Sequence, residues 1–440
     1  MSEKNKVFLE ITIEANTGST GRASEALCDA LGNNGWNCII AYGRTNHQSK
    51  HKTYKIGHLP DQLWHGLISR LFDAHGLGSR LATRRLIKFI KASQPSVIHL
   101  RNIHGYYIHY PTLFEYLATV KIPVLWTLHD AWSFTGHCSH FAAVGCDKWK
   151  TGCGGCPQVK EYPKSIGLDR SAQNYAMKKQ YFTQVPTLQL ICVSHWLTDK
   201  VKQSFFGGKV PIQTIVNGVN TEIFKPLHDP KAIEAIRQKY GITAPKVILT
   251  MARPWSRKKG FFDILQLSEL LAESHTAAEV QVVMVGINNR EKRYLPKNVV
   301  GIHRTENPSD LCALYNLADV YLNASVEESF GLTTAESLAC GTPVIGYDNT
   351  GTREILLGIE GVDSHDFLSP TGNVQSLFMK IIELLGTEDF QNLYNTDFAM
   401  VFRAYIQKKY TKKRQLKLYL SLIDYYPFKL RKIASTKENY

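Results

Sequence analysis

No uninterrupted apolar run in the 440 residues approaches the ~18 that a membrane-spanning helix needs. Glu10 and Glu14 interrupt the amino-terminal stretch where a secretory signal would need a continuous apolar core, so a cytoplasmic protein is expected, at most peripheral to an inner membrane. Low-complexity and collagen-like segments are absent, which excludes the disordered and fibrous classes. Cysteine is scarce and odd in number, nine in the chain, which rules out a small disulfide-stapled scaffold. Five of the nine, Cys28, Cys38, Cys192, Cys312 and Cys340, are scattered among apolar neighbours as reduced core thiols are. There is no Asp-x-Asp pair, so a Mg²⁺-bridged diphosphate would lack its usual ligand. Recognisable RNA- or DNA-binding motifs are missing too, and the basic residues are spread along the chain, which argues against nucleic acid as a partner. Acidic residues are outnumbered, 38 against 52 Lys and Arg. The resulting formal charge of +14 favours an anionic partner, whether a phosphorylated substrate, an acidic membrane surface or nucleic acid, without choosing among them.

What is present is globular: 44% apolar and 20% charged residues, with length for two to three domains. Val7 to Ile13 reads as a buried strand, Asn16 to Gly21 as a Gly-rich turn, Arg22 to Leu31 as a helix and Trp36 to Tyr42 as a second strand. That order is a βαβ unit of a parallel sheet. Further strands are expected at Val97 to Leu100, Val124 to Leu128 and Leu188 to Val193. After the loop Asn217-Gly218-Val219 a second α/β series begins, with strands at Val247 to Met251, Val280 to Val285, Val299 to His303, Val320 to Asn323 and Pro343 to Tyr347. The predicted domains are residues 1–205 and 206–390, both doubly wound α/β, followed by a basic helical segment at 391–440.

The stretch from Asn323 to Asp348, NASVEESFGLTTAESLACGTPVIGYD, reads as a strand end, a loop carrying Glu328, a helix opening near Gly331 and stopped by Gly341, and a next strand led by Pro343. This places the two glutamates at the carboxyl edge of a parallel sheet, where doubly wound folds bind ligands. Backbone N–H groups from Gly331 to Thr333 are free to hold a phosphate. Arg253, Trp255, Arg257, Lys258, Lys259 and Gly260 follow another strand of the same domain, and all strands of a parallel sheet end on one side. The basic loop and the Glu328 loop should therefore share a crevice, where cations balance a diphosphate and carboxylates accept hydrogen bonds from sugar hydroxyls.

The run Glu328-Ser-Phe-Gly331-Leu-Thr-Thr-Ala-Glu336, continued by Gly341-Thr342-Pro343-Val344, resembles the E-x7-E motif of the GT-B-fold retaining glycosyltransferases of family 4. Arg253 and Lys259-Gly260 are similar to that family's diphosphate-binding pair, and Asn217-Gly218-Val219 to its inter-domain signature. Gly18-Ser-Thr-Gly21-Arg22, His99-Leu-Arg-Asn-Ile-His104, Thr127-Leu-His129-Asp130 and Val193-Ser194-His-Trp196 resemble the colanic-acid and exopolysaccharide branch. The resemblance implies two Rossmann-like domains facing each other across a donor cleft, with carboxy-terminal helices crossing back. It implies that Glu336 binds the nucleotide ribose, Glu328 the donor-sugar hydroxyls, and Arg253 with Lys259 the diphosphate. Gly18, Gly21, Phe330, Gly331 and Leu332 complete the implied donor site, His129 lies by the donor sugar, and His104 and Asp130 are acceptor-side candidates. Catalysis would fall to His129, Glu328, Arg253 and Lys259, without a catalytic metal. The implied reaction moves a hexose, UDP-linked by preference, to a glycan or polyprenyl-linked acceptor in exopolysaccharide, colanic acid or O-antigen/lipopolysaccharide assembly. A sugar-nucleotide epimerase or hydrolase of the same fold is the alternative enzyme, and a basic nucleic-acid-binding protein the alternative class. Ala252 stands where the family often has Gly, and Asn220 where it usually has Asp.

Three features lie outside that pattern. Cys138, Cys146, Cys153 and Cys156 could close a tetrahedral structural Zn²⁺ site, against reduced loop thiols or disulfides as competing readings. Leu63, Trp64, Leu67, Ile68, Leu71 and Phe72 form a helical stripe whose default reading is core packing; with the nearby Arg70, Arg80, Arg84, Arg85, Lys88 and Lys91 the alternative is a surface against an anionic inner leaflet. Arg403 to Lys417 carries seven basic residues and no acidic one, read as a solvated helix face or as a face toward membrane or phosphate.

Overall fold

The computed structural model describes residues 6–274, 279–361, 363–386 and 396–437. The chain divides into two units, Met1–Ile215 with Leu416–Tyr440, and Val216–Gln415. The boundary read from sequence at 205 falls ahead of the last strand of the first sheet, and that expected at 390 lies outside the described residues.

The first unit is a seven-stranded, all-parallel sheet built from β1 (Val7–Ala15), β2 (Asn37–Asn46), β3 (Lys52–Lys55), β4 (Val97–Leu100), β5 (Val124–Leu128), β6 (Leu188–Cys192) and β7 (Ile212–Thr214). Its order is β3-β2-β1-β4-β5-β6-β7, so the winding reverses between β1 and β4. The strands read from sequence are all there. The short edge strands β3 and β7 were missed, because three or four half-exposed residues leave no pattern to read. The expected Gly-rich turn is shorter than read: helix α1 (Gly18–Gly32) already includes Gly18 and Gly21 in its first turn. Gly18 sits at φ +61°, and a Cβ on Gly21 would stand 3.1 Å from the Glu14 carbonyl oxygen, so both glycines let this helix start hard against the end of β1. Phe8, Leu27, Trp36, Ile40, Leu125 and Ile191 are buried in one cluster that also takes Tyr419, Leu422 and Ile423 from the final helix α14 (Lys412–Lys437).

The second unit has a six-stranded parallel sheet of β8 (Lys246–Met251), β9 (Val280–Val285), β10 (Val299–Ile302), β11 (Val320–Asn323), β12 (Val344–Tyr347) and β13 (Leu368–Ser369) in the order β10-β9-β8-β11-β12-β13. Here the winding reverses between β8 and β11, the position at which such sheets open a crevice at their carboxyl ends. β13, two residues long, was not read from sequence. In the basic segment, Arg403 lies on helix α13 (Thr396–Lys409), and its guanidinium donates to the carbonyls of Phe224 at 3.2 Å, Ala339 at 3.0 Å and Thr221 at 3.3 Å. It is a strut of this unit, while Lys408, Lys409, Lys413, Arg414 and Lys417 are exposed.

Five histidines of the first unit, His65, His75, His99, His109 and His129, are held neutral chiefly by burial. His65 and His129 are pushed down to about 3 and His109 to about 4, against an ordinary 6.5. Below about pH 6.5 the unfolded chain takes up protons there that the folded chain does not, so folding weakens as pH falls, down to the folded values of about 3 to 4. We expect the urea midpoint to drop on acidification through this window, ahead of ordinary carboxylate titration; a flat midpoint down to about pH 5 would contradict it.

Candidate active site

At the reversal point of the second unit, the loops after β8 and β11 are stitched together. The Val326 N–H donates to the Lys258 carbonyl at 2.9 Å. Gly260 adopts φ +71°, and a Cβ there would lie 2.2 Å from the Ala324 carbonyl oxygen, so only glycine lets the two backbones approach this closely. That approach carries Lys259, at the end of a short 3₁₀ turn, to Glu328: Nζ stands 2.6 Å from Oε1, with both side chains partly exposed. Arg253 follows β8 on the same edge and its side chain is exposed.

The Glu328 loop is held from below. Asn323 is buried and donates to Thr334 Oγ1 at 2.9 Å and Thr352 Oγ1 at 3.1 Å, while its Oδ1 accepts the Ser325 N–H. Thr350 Oγ1 accepts the Glu328 N–H at 2.9 Å and returns a bond to its carbonyl, and the Gly351 N–H reaches that carbonyl at 2.9 Å. Gly331, at φ +92°, caps helix α10 (Leu332–Ala339), so the first residue of that helix lies four residues after Glu328. Phe330 is buried beneath. One turn along, Glu336 Oε2 accepts from the hydroxyl of Tyr315, in the last turn of helix α9 (Pro308–Leu317), at 3.1 Å. The structure thus brings Lys259, Glu328, Gly331, Leu332 and Glu336 to one edge, as expected from sequence. The scaffold of Asn323, Thr350 and Tyr315 was not read, because only the fold brings these residues near the glutamates.

Asn217-Gly218-Val219 lies against the start of α14: Val219 N–H donates to the Tyr410 carbonyl at 2.7 Å, and Lys412 N–H to the Val219 carbonyl at 2.8 Å. Asn220 caps its own turn through the Glu222 N–H at 3.1 Å, so this departure from the family pattern costs no turn contact.

In the first unit a charged network is buried between the middle of β1 and the carboxyl ends of β4 and β5. Glu10 faces His99 across the β1–β4 register. Its Oε2 is 2.8 Å from His99 Nδ1, and its Oε1 accepts from Ser24 at 2.9 Å and from Arg101 Nε. Burial works against its charge, yet His99 and Arg101 outweigh burial and hold the Glu10 carboxyl at about 2. Burial lowers His99 as well. The neutral ring then donates from Nδ1 to Glu10 and accepts at Nε2 from Thr127 Oγ1 at 2.8 Å, and Tyr419 completes the chain 2.9 Å from Thr127. Arg101 NH1 comes within 3.5 Å of His129 Nε2. Burial first, then the Arg101 charge, hold His129 at about 3, so at neutral pH it is an uncharged imidazole. The network escaped the sequence reading, although a glutamate inside an otherwise apolar strand was its visible sign.

His104 and Asp130 do meet: Nε2 is 2.9 Å from Oδ2, with the Trp132 N–H on Asp130 Oδ1 at 2.9 Å and the Tyr162 hydroxyl 3.2 Å from His104 Nδ1. Burial raises and His104 lowers the Asp130 carboxyl, and the net direction is down.

Cys138, Cys146, Cys153 and Cys156 line one small cavity together with His137. The His137 Nδ1 is 2.6 Å from Asp73 Oδ1, and its Nε2 is buried without a hydrogen-bond partner. The Gly136 N–H points at Cys153 Sγ at 3.2 Å. As the side chains stand, no group of three or more His, Cys, Asp or Glu among the described residues is arranged to hold a metal ion.

Residues 20–223 match the family profile of Glycosyltransferase Family 4, and residues 232–396 that of Glycosyl transferases group 1. A curated relative, the putative colanic acid biosynthesis glycosyl transferase WcaC of Escherichia coli K12, is 27% identical over 335 residues, covering 72% of this chain and 76% of the relative. Among solved structures, Anabaena Alr3699/HepE in complex with UDP superposes with TM-score 0.66 at 15% identity, covering 95% of this chain and 99% of that one. WaaG, a glycosyltransferase involved in lipopolysaccharide biosynthesis, superposes with TM-score 0.63 at 13% identity, covering 94% and 98%.

Proposed function

Because the chain belongs to the GT-B-fold glycosyltransferases of family 4, we propose that it moves a hexose from a nucleotide-diphosphate sugar to a glycan or polyprenyl-linked acceptor, with retention at the anomeric carbon. UDP is the preferred donor base, and exopolysaccharide, colanic acid or O-antigen assembly the preferred setting; the UDP complex of HepE and the name of the colanic acid relative support both preferences. The observation that carries the reading is the Lys259–Glu328 pair beside the Gly331 helix start, with Glu336 on Tyr315 one turn beyond.

Lys259 and Glu328 neutralise each other in this structure. A donor would exchange that pair for two better ones: diphosphate oxygens take the ammonium, with Arg253 and the α10 amides adding positive potential, and sugar hydroxyls donate to the Glu328 carboxylate. Glu336, oriented by Tyr315, would accept from ribose hydroxyls. As the glycosidic bond to phosphate breaks, charge grows on the departing diphosphate, and the cations held on this edge, released from Glu328 once the donor is bound, stabilise it. The departing phosphate oxygen takes the proton of the incoming acceptor hydroxyl on the same face, which gives retention without a protein nucleophile. His129, neutral at physiological pH, serves as a hydrogen-bonding group to a sugar hydroxyl; its depressed basicity makes it a poor proton carrier there.

The test is to incubate the protein and a bacterial lipid extract with labelled UDP-, GDP- and ADP-hexoses. Label entering the lipid-linked fraction from one donor supports transfer. Label recovered as free or epimerised sugar, with none on an acceptor, would instead favour the epimerase or hydrolase reading.

For the thiol cavity we propose a structural Zn²⁺ closed by Cys138, Cys146, Cys153 and Cys156 after side-chain rotation. The shared cavity, the amide aimed at Cys153 and the Asp73-oriented His137 support it. Protein purified without added zinc should carry about one equivalent, lost in Cys153→Ala/Cys156→Ala; far less than one in the unaltered chain removes the site.

A further inference from the structure

The stripe at Leu63 to Phe72 is not core. On helix α2 (Leu59–Phe72), Leu59, Leu63 and Trp64 are 65%, 64% and 61% exposed, and Leu67, Leu71 and Phe72 continue the exposed row. The face turned inward is polar: His65 is fully buried, with Nδ1 on Ser79 Oγ at 3.0 Å and Nε2 accepting the Gly76 N–H at 2.9 Å, and Ser69 is buried one turn on. The helix therefore hides its polar side and shows its apolar one, the reverse of an ordinary surface helix.

The apolar surface extends beyond α2. Trp64 and Ile68 share a groove with Leu77 and the exposed Leu81. At the other end the Ile166 N–H donates to the Arg70 carbonyl at 2.8 Å, which fixes the exposed Ile166 and Leu168 beside the last turn. Next to this surface runs helix α3 (Arg80–Ser93), with Arg80, Arg84, Arg85, Lys88 and Lys91 exposed and no acidic residue in it. An apolar surface this continuous marks an interaction site. Its occupant must accept apolar side chains and neutralise a row of cations at once.

We infer that the α2 face with Leu81, Ile166 and Leu168 docks into the interfacial layer of an anionic bilayer, with the α3 cations over its headgroups. The charge decides the occupant. A second copy of the chain would bring two basic rows toward each other, whereas acidic lipid offers acyl chains and negative charge in the arrangement this surface presents. A helix of 14 residues, about 21 Å long, lies in the interface plane, and no helix among the described residues is long and apolar enough to cross a membrane. The inference stands apart from the transfer chemistry, since none of these residues belongs to the proposed donor site.

The test is co-sedimentation of the full chain with phosphatidylcholine vesicles, with and without phosphatidylglycerol. Binding is expected only with the acidic lipid and should weaken as salt rises. Leu63→Ser/Trp64→Ser and Arg84→Glu/Arg85→Glu, all at exposed positions, should each reduce binding by about tenfold or more while leaving the unfolding midpoint in place. Absence of binding to acidic vesicles by folded protein overturns the inference, as does binding that both variants retain. Dimerisation that Leu63→Ser/Trp64→Ser abolishes would identify a second copy as the occupant and overturn it equally.

Discussion

Lys259→Ala should lower turnover by roughly a hundredfold or more, since removing one preorganised donor from developing charge typically costs ~3 kcal/mol. Lys259 is the cation that this fold holds best at the proposed diphosphate position. It ends a tight turn that Gly260 locks against Ala324, and its Nζ is already 2.6 Å from Glu328. The loss should appear mainly in kcat, because charge on the leaving group grows as the bond breaks. Folding should hardly notice: both partners of the pair are partly exposed, and such pairs are worth at most about 1 kcal/mol. Lys259→Arg keeps the charge but changes its reach, and should recover only part of the activity. Near-normal turnover in Lys259→Ala would remove the proposed role of this loop.

Arg101→Met should have the largest effect on stability in the first unit, about 3–5 kcal/mol, because it leaves the Glu10 carboxylate fully buried without its strongest counter-charge. The damage should spread along the chain of bonds through His99 and Thr127 to Tyr419, and so loosen α14 where it packs into that core. Glu10→Gln/Arg101→Met removes both charges and should recover most of the loss, since the cost lies in the uncompensated ion rather than in the missing bond. Urea denaturation of the two variants checks this. A single variant as stable as the unaltered protein would mean that Glu10 is neutral in the folded chain.

Much of the proposed donor site was legible in the sequence for a topological reason. Parallel strands all end on one side, so loops after β8 and β11 had to share an edge, and Gly260 and Gly331 marked where backbone had to come close or turn. What lay hidden depended on long-range pairing or on the choice of face. Glu10 and Arg101 are separated by ninety intervening residues, and only the β1–β4 register makes them neighbours. Periodicity located the α2 stripe but could not say which side was inward; the bonds from His65 to Ser79 and Gly76 decide that. The edge strands β3, β7 and β13 are too short to show alternation.

If the second unit recognises the nucleotide, thermal unfolding with UDP, GDP or ADP, on the unaltered chain and on Glu336→Ala, shows it. A ligand at ~100 times its Kd adds about 2.7 kcal/mol to the folded state, a shift of a few degrees. One nucleotide, UDP by preference, should raise the midpoint, and Glu336→Ala should abolish that shift while its own baseline midpoint stays close to that of the unaltered chain. No shift with any of the three, or one that survives in Glu336→Ala, would contradict the assignment of this edge as the donor site.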